Sequence, residues 1–294
     1  MSHESSLTNH NPTAYQTNAS FVYSSAYSGP VLSLLDPRPG EKIIDLGCGT
    51  GELTRVISDA VGEGGEVVGV DSNRSMLDKA TSATPATITY LQADIQSPST
   101  FISLHPAYKG KFDAVFTSAT LHWCKSAPGG VVELVKWLLK PGGRMAFEFG
   151  GFGNCVGVRA ALHEVIRRKG VDPSPLDPWY FPTIAHYTKL LEQHNLTPQN
   201  VQLVPRPTPL PTSLRGWLVT FARNSFLSSF SDQEADEIMD QVSEICRVDN
   251  YWSDENPGVG VTSQGQEKQV GKGQEGWEVM YVRLRGVALK LKEE

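Results

Sequence analysis

Short apolar runs alternate along the chain with longer stretches in which apolar residues return every three or four positions. A continuous apolar run suits a strand covered on both faces, and the longer period suits a helix with one apolar stripe. After a polar opening over 1–19, rich in Ser, Asn and Thr, positions 21–35 become apolar enough for a helix that stops before Asp36-Pro37-Arg38-Pro39-Gly40. The two patterns then take turns. Residues 43–46, 67–70, 88–91, 112–117 and 144–149 read as strands. Residues 53–61, 76–80, 101–104 and 131–139 read as the helices between them, the third weakly. Strand-then-helix units in series predict a parallel sheet with helices on both faces.

The second half is less regular. A helix is expected over 155–169 with Asn154 as its cap, then a proline-rich bend over 172–182. Thr183 opens a further helix towards 195, and 201–204 reads as a sixth strand. Two helices follow at 213–221 and 232–248. Residues 253–276 lose all periodicity and read as a flexible insertion, before 277–292 returns to strand alternation.

Composition changes this picture little. The 294 residues are 39% apolar and 20% charged, enough to bury a core. The net charge of −6 divides evenly between residues 1–150 and the remainder, so neither half carries a basic surface for nucleic acid. No basic-then-apolar leader and no long apolar run is visible, so no membrane association is expected. Cys48, Cys124, Cys155 and Cys246 are too scattered for a Cys-x-x-Cys clamp and read as reduced thiols of a cytoplasmic protein. No His, Cys and carboxylate set has metal-ligand spacing, so no metal is expected.

The chemistry concentrates in Asp45-Leu46-Gly47-Cys48-Gly49-Thr50-Gly51, where a strand gives way to a helix. Open parallel sheets bind ligands at such strand ends, and glycines let backbone come close to them. A dinucleotide loop would carry a third glycine one position later, where Glu52 stands. Asp71 closes the second strand, 20 residues after Gly51, where a carboxylate can accept from both hydroxyls of a ribose. Asp94 ends the third strand, placed to meet a base ring; alone it fits a helix cap or turn equally well.

The segments Ile43-Ile44-Asp45-Leu46-Gly47-Cys48-Gly49-Thr50-Gly51, Val67-Val68-Gly69-Val70-Asp71, Ala93-Asp94, Phe112-Asp113-Ala114-Val115-Phe116 and Leu139-Lys140-Pro141-Gly142-Gly143 together resemble the class I S-adenosylmethionine-dependent methyltransferases over about residues 15–155. Ser118-Ala119-Thr120-Leu121-His122-Trp123 and Glu148-Phe149-Gly150-Gly151-Phe152-Gly153-Asn154 are similar to the group around trans-aconitate methyltransferases. The resemblance implies a Rossmann-like, doubly wound α/β fold with a seven-stranded sheet whose last strand runs antiparallel. It implies one methyltransferase domain over 20–294, with a helical cap at about 205–250. S-adenosyl-L-methionine would be the cofactor. Gly47, Cys48, Gly49 and Gly51 would hold its methionine portion, with Asp45 near the amino group. Asp71 would hold the ribose, and Asp94 and Ile95 would contact the adenine; Ser72 and Met76 are further cofactor-binding candidates. Tyr15, Phe21 and Ser118 complete the cofactor set that the resemblance implies.

Methyl transfer from a sulfonium is an in-line displacement, so a general base is useful only when the acceptor must lose a proton. His122, just beyond the fourth strand, is the candidate base; it fits a hydrogen-bonding role as well. Trp123 and Trp217 join it as candidate substrate-pocket residues, although large rings also build ordinary cores. Arg206, Arg283 and Arg285 fit either an acidic substrate or strand-edge roles. Three functions are compatible with these residues. A small-molecule methyltransferase leads, because the place after the fourth strand lacks the Asn/Asp-Pro-Pro-aromatic segment of amino-directed nucleic-acid enzymes. A protein or nucleic-acid methyltransferase and a cofactor-binding protein that does not methylate are the alternatives. An NAD oxidoreductase trails on loop spacing.

Overall fold

Ile43 and Ile44 are neighbours on one strand, point to opposite faces, and are both fully buried. Only a sheet covered on both sides allows that. The structure, a computed structural model, describes residues 17–18, 25–83, 87–253 and 274–292. It divides into two compact units. One is drawn from Ser25–Phe152, Trp179–Val204 and Arg283–Glu294, the other from Met1–Ser24, Gly153–Pro178 and Pro205–Val282.

The strands are β1 (Lys42–Leu46), β2 (Glu66–Asp71), β3 (Ile88–Gln92), β4 (Phe112–Ser118), β5 (Leu139–Gly150), β6 (Thr197–Pro209), β7 (Tyr251–Ser253) and β8 (Glu275–Leu289). They run in the order β3-β2-β1-β4-β5-β8-β6. β1 to β5 pair in parallel, and β8 returns antiparallel to β5 with Glu148 opposite Arg285. The expected seven-stranded sheet is therefore present, and β7 adds an eighth strand off its path, pairing with the start of β8. A three-residue strand carries no alternation to read, which is why the sequence does not announce it.

The helices of the first unit are α1 (Ser25–Leu35), α2 (Glu52–Val61), α3 (Arg74–Ser82), α4 (Pro98–Leu104), α5 (Pro128–Leu138) and α7 (Ile184–Gln193), with α6 (Val156–Arg168) falling in the second unit. On one sheet face Val31 and Leu35 of α1 and Leu53, Ile57 and Val61 of α2 cover Ile43, Val67, Ala114, Phe116 and Ala146. On the other face Phe101, Val131, Val135, Leu138, Tyr187 and Leu191 pack on Ile44, Val68, Val115, Phe147 and Phe149. Arg144 of β5 pins the end of α1. Its guanidinium donates to the carbonyls of Leu35 and Asp36 at 2.6 and 2.7 Å and to both oxygens of Glu41 at 2.7 and 2.8 Å. Burial pushes the Glu41 carboxyl up, but the Arg144 hydrogen bonds and charge and the Arg38 amide outweigh it and hold it below its usual value.

The second unit holds α6, α8 (Leu214–Phe221) and α9 (Asp232–Asn250). α9 opens with a capping box, Ser231 and Glu234 each bonding the other's backbone N–H. It packs its Ile238, Met239 and Val242 stripe towards α6 and α8. Asn154 is not the expected cap of α6. Cys155 occupies that position with φ 51°, while Asn154 accepts from the Val282 N–H at 3.0 Å, a strand contact that no local pattern encodes. Asn18, from the polar opening, hydrogen-bonds Thr220 at 3.0 Å and Thr212 at 2.8 Å. Of the stretch 253–276, its two ends pair as β7 and β8, and residues 254–273 lie outside the described residues. No helix among the described residues is long and apolar enough to cross a membrane.

Candidate functional site

Strand order reverses between β1 and β4, so the loops after these strands leave in opposite directions and open a crevice at their carboxyl ends. After β1 the chain turns on Gly47, Gly49 and Gly51, with φ of 81°, 55° and 80°. Glycine enters that region at little cost. Two of the three are also fixed by contact, since a Cβ on Gly47 would overlap the Thr120 side chain and one on Gly51 the Tyr90 hydroxyl. The amides of Gly47 and Cys48 both bond the Val70 carbonyl, at 2.7 and 3.0 Å, which seats the loop on the end of β2. Gly51 also precedes α2 without any side-chain cap, leaving the first-turn N–H groups of α2 without one.

Carboxylates surround this loop. Asp45 is buried in β1, and Thr54 of α2 donates its hydroxyl to it at 2.7 Å. Burial pushes the Asp45 carboxyl up to about 7; the Thr54 hydrogen bond pulls the other way, and the charge of Asp71 adds to the rise. Asp71 accepts the Gly49 amide at 2.9 Å on one oxygen and the Asn73 amide at 2.8 Å on the other. Burial raises its carboxyl too, against those backbone donors. The Ser72 backbone also bonds this carboxylate, and with about four acceptor positions in all Asp71 can position the loop and still accept from a ligand. The Ala93 amide bonds the Asp71 carbonyl at 3.0 Å and brings the end of β3 alongside. There Asp94 accepts the Gln96 amide at 2.9 Å, a local turn, and Ile95 is buried. Ser72 is half-buried, and Met76 is buried under the amide cap that Asn73 provides. Cys48 is buried as well, and burial, with the charges of Asp45 and Asp71 behind it, pushes its thiol far above the usual range. It is no nucleophile.

The ends of β4 and β5 are different in kind. Ser118 is half-buried and ends β4; Ala119 then takes φ 56°, held by its amide on the Glu148 carbonyl at 2.7 Å. A non-glycine residue in that conformation costs about 1–2 kcal/mol. Thr120 donates to the carbonyls of Gly47 and Ser118 at 3.2 and 3.0 Å, joining this loop to the glycine loop. A single helical turn, Leu121–Trp123, places His122 and Trp123, both buried. The Gly150 amide donates to His122 Nδ1 at 3.3 Å, and the Tyr180 amide to the His122 carbonyl at 2.8 Å. Rings gather here: His122 lies 5.3 Å from Trp123 and 6.1 Å from Phe181, Trp123 6.1 Å from Trp179, and Trp179 stacks on Phe181 at 5.9 Å.

The chain matches the model of the methyltransferase domain over residues 43–143. It is 30% identical over 249 residues to an uncharacterised methyltransferase of Schizosaccharomyces pombe, covering 81% of this chain and 91% of that one. The chain belongs to the class I S-adenosylmethionine-dependent methyltransferases. This methyltransferase is also 32% identical over 124 residues to trans-aconitate 2-methyltransferase of Deinococcus radiodurans, a match covering 42% of the chain and 43% of that relative. Among solved structures, the YcgJ protein of Bacillus subtilis shares the fold, with a TM-score of 0.56, 15% identity, and coverage of 90% and 98% of the two chains.

The structure brings Asp45, Gly47, Cys48, Gly49, Gly51, Asp71 and Ser72 to neighbouring strand ends of the methyltransferase, with Asp94 alongside. Tyr15 and Phe21 lie outside the described residues. Trp217 belongs to the other unit, where its indole N–H donates to the Tyr281 hydroxyl at 2.5 Å. Four residues at these strand ends are not among the site residues expected from the sequence. Thr54 could have been found, because a hydroxyl on the Leu53, Ile57, Val61 stripe of α2 needs a buried partner. Tyr90 could have been found as the ring opposite Gly69, over which it packs. Thr120 and Gly150 meet their partners through contacts 73 and 28 residues distant, and nothing local signals them.

Proposed function

We propose that this enzyme transfers the methyl group to a small-molecule acceptor in the cytoplasm, by in-line displacement. The residues suit the cofactor. Asp45 is a buried acid whose raised protonation reflects burial with one hydroxyl partner, and a cationic amino group beside it would favour the charged form. In this reading the 47–51 loop and Asp45 hold the methionine end, Asp71 accepts from the ribose hydroxyls, and Asp94 and Ile95 face the adenine. Ser72, Met76 and Ser118 line the same edge, and Tyr15 and Phe21 are retained as candidates from the sequence. The bound cofactor supplies an electrophilic methyl group. The acceptor's lone pair forms the new bond to carbon while the carbon–sulfur pair stays on sulfur, so the chain's own work is to align the two and exclude water.

The ring cluster of Trp123, Trp179 and Phe181 around His122 carries the choice of a small molecule. It gives the β4 edge an apolar character, suited to a compact acceptor rather than to a polyanionic backbone. Incubating the protein with methyl-labelled cofactor and a fractionated cell extract tests the proposal. Label in the low-molecular-weight fraction, with a mass gain of one methyl, is expected; label confined to protein or nucleic acid would overturn it.

A further inference from the structure

His122 is held from several directions. Its carbonyl accepts from Tyr180, the preceding loop is tied to β5 through the Ala119 amide, and its ring nitrogen Nδ1 accepts from the Gly150 amide. The last contact has a chemical consequence. A backbone N–H can only donate, so Nδ1 must present a lone pair, and the single proton of a neutral imidazole then sits on Nε2. A ring in that state has no nitrogen ready to take a proton. Nε2 already carries one, and protonating Nδ1 would set two N–H groups against each other in a buried place. The sequence alone left His122 between a base and a hydrogen-bonding residue.

We propose that His122 is locked as the Nε2–H tautomer by the Gly150 amide and serves the acceptor site as a hydrogen-bond donor, no proton of the acceptor passing to its ring. The proposal rests on the reading that the acceptor meets the enzyme at the β4 edge. It requires the attacking atom of the acceptor to offer its lone pair without help from His122, either because it arrives unprotonated or because its proton leaves after transfer.

Long-range nitrogen–proton NMR on the full chain with 15N-labelled histidine, at a pH of about 8 where free imidazole is neutral, reads the tautomer directly. The His122 signals are identified by their absence from His122→Gln, or by through-space contact with Trp123 should that variant not fold. A protonated Nε2 and an unprotonated Nδ1 are expected. An Nδ1–H ring, or fast averaging of the two forms, would overturn the proposal. Transfer of labelled methyl into the small-molecule fraction gives a second reading. The amide of Gln can replace an Nε2 donor, so His122→Gln should stay within about tenfold of the wild type while His122→Asn falls further. Equal losses of about 10²–10⁴-fold in both would mark a base and contradict it. Neither outcome depends on cofactor affinity, which calorimetry measures separately; failure there would instead strike the functional reading.

Discussion

The carboxyl edge of the sheet has two halves that solve different problems. At the ends of β1, β2 and β3 the chain presents glycines in left-handed conformations and carboxylates held by short hydrogen bonds, Asp45 by the Thr54 hydroxyl and Asp71 by the Gly49 and Asn73 amides. At the ends of β4 and β5 it presents a strained Ala119, a histidine tied to a strand amide, and stacked rings. The first half is polar and defined by short motifs; the second is apolar and defined by contacts between distant segments. Thr120, bonded to the Gly47 carbonyl, links them. In our reading the first half serves a fixed cofactor and the second suits an acceptor, since changes in the rings need not disturb the amides that hold Asp71.

The largest effect should come from Asp71→Ala. It removes a half-buried carboxylate that seats the loop and, in our reading, accepts from the ribose hydroxyls. With about 1.5–3 kcal/mol for each hydrogen bond to a charged group, S-adenosylmethionine affinity should fall at least ~100-fold by calorimetry, with far-UV circular dichroism retained. An affinity within tenfold of the wild type would show that the ribose is held elsewhere.

Asp45 sets the next effect, through pH. With its carboxyl at about 7 in the free protein, a cationic ligand must displace its proton below that value. Affinity should therefore rise about tenfold per unit between roughly pH 5.5 and 7 and level off above, with proton release visible in buffers of different ionisation enthalpy. A flat profile would remove Asp45 from the amino-group site. The sign for folding is opposite. The folded protein binds this proton more tightly than the unfolded chain, whose Asp titrates near 3.9, so the Asp45 contribution to free-protein stability declines as pH rises from about 4 to 7. Denaturant titrations across that window check it, and a rise attributable to Asp45, absent in Asp45→Asn, would contradict it.

Gly47→Ala tests the link between the halves. A left-handed alanine costs about 1–2 kcal/mol, and overlap with Thr120 adds to it. Removing the side chain in Thr120→Gly should recover part of that loss in a double-mutant cycle; strict additivity would mean that the two loops are independent. The smallest effect is expected for His122→Gln on cofactor binding, within about threefold, a larger loss placing His122 in the cofactor half.

What could be read in advance follows the same division. The succession of the first five strands along the chain and the glycine loop are local patterns, because a buried strand or a tight turn constrains its own few residues. Asp71 is legible as the residue that closes β2. The β7 strand, the Asn154 contact with Val282 and the Gly150 contact with His122 were not legible, since each depends on a partner brought in by tertiary folding. β6 extends over Thr197–Pro209, well beyond the expected four residues, for a related reason. Its four prolines interrupt any strand pattern, and an outer position in the sheet tolerates them.

Amide hydrogen exchange of the full chain, with and without S-adenosylmethionine, tests the division of the edge most directly. Cofactor binding should slow exchange at 47–51, 71–73 and 94–97, and change it little at 121–123 and at Gly150. Protection centred on 121–123 and Gly150, with the glycine loop unaffected, would contradict the account.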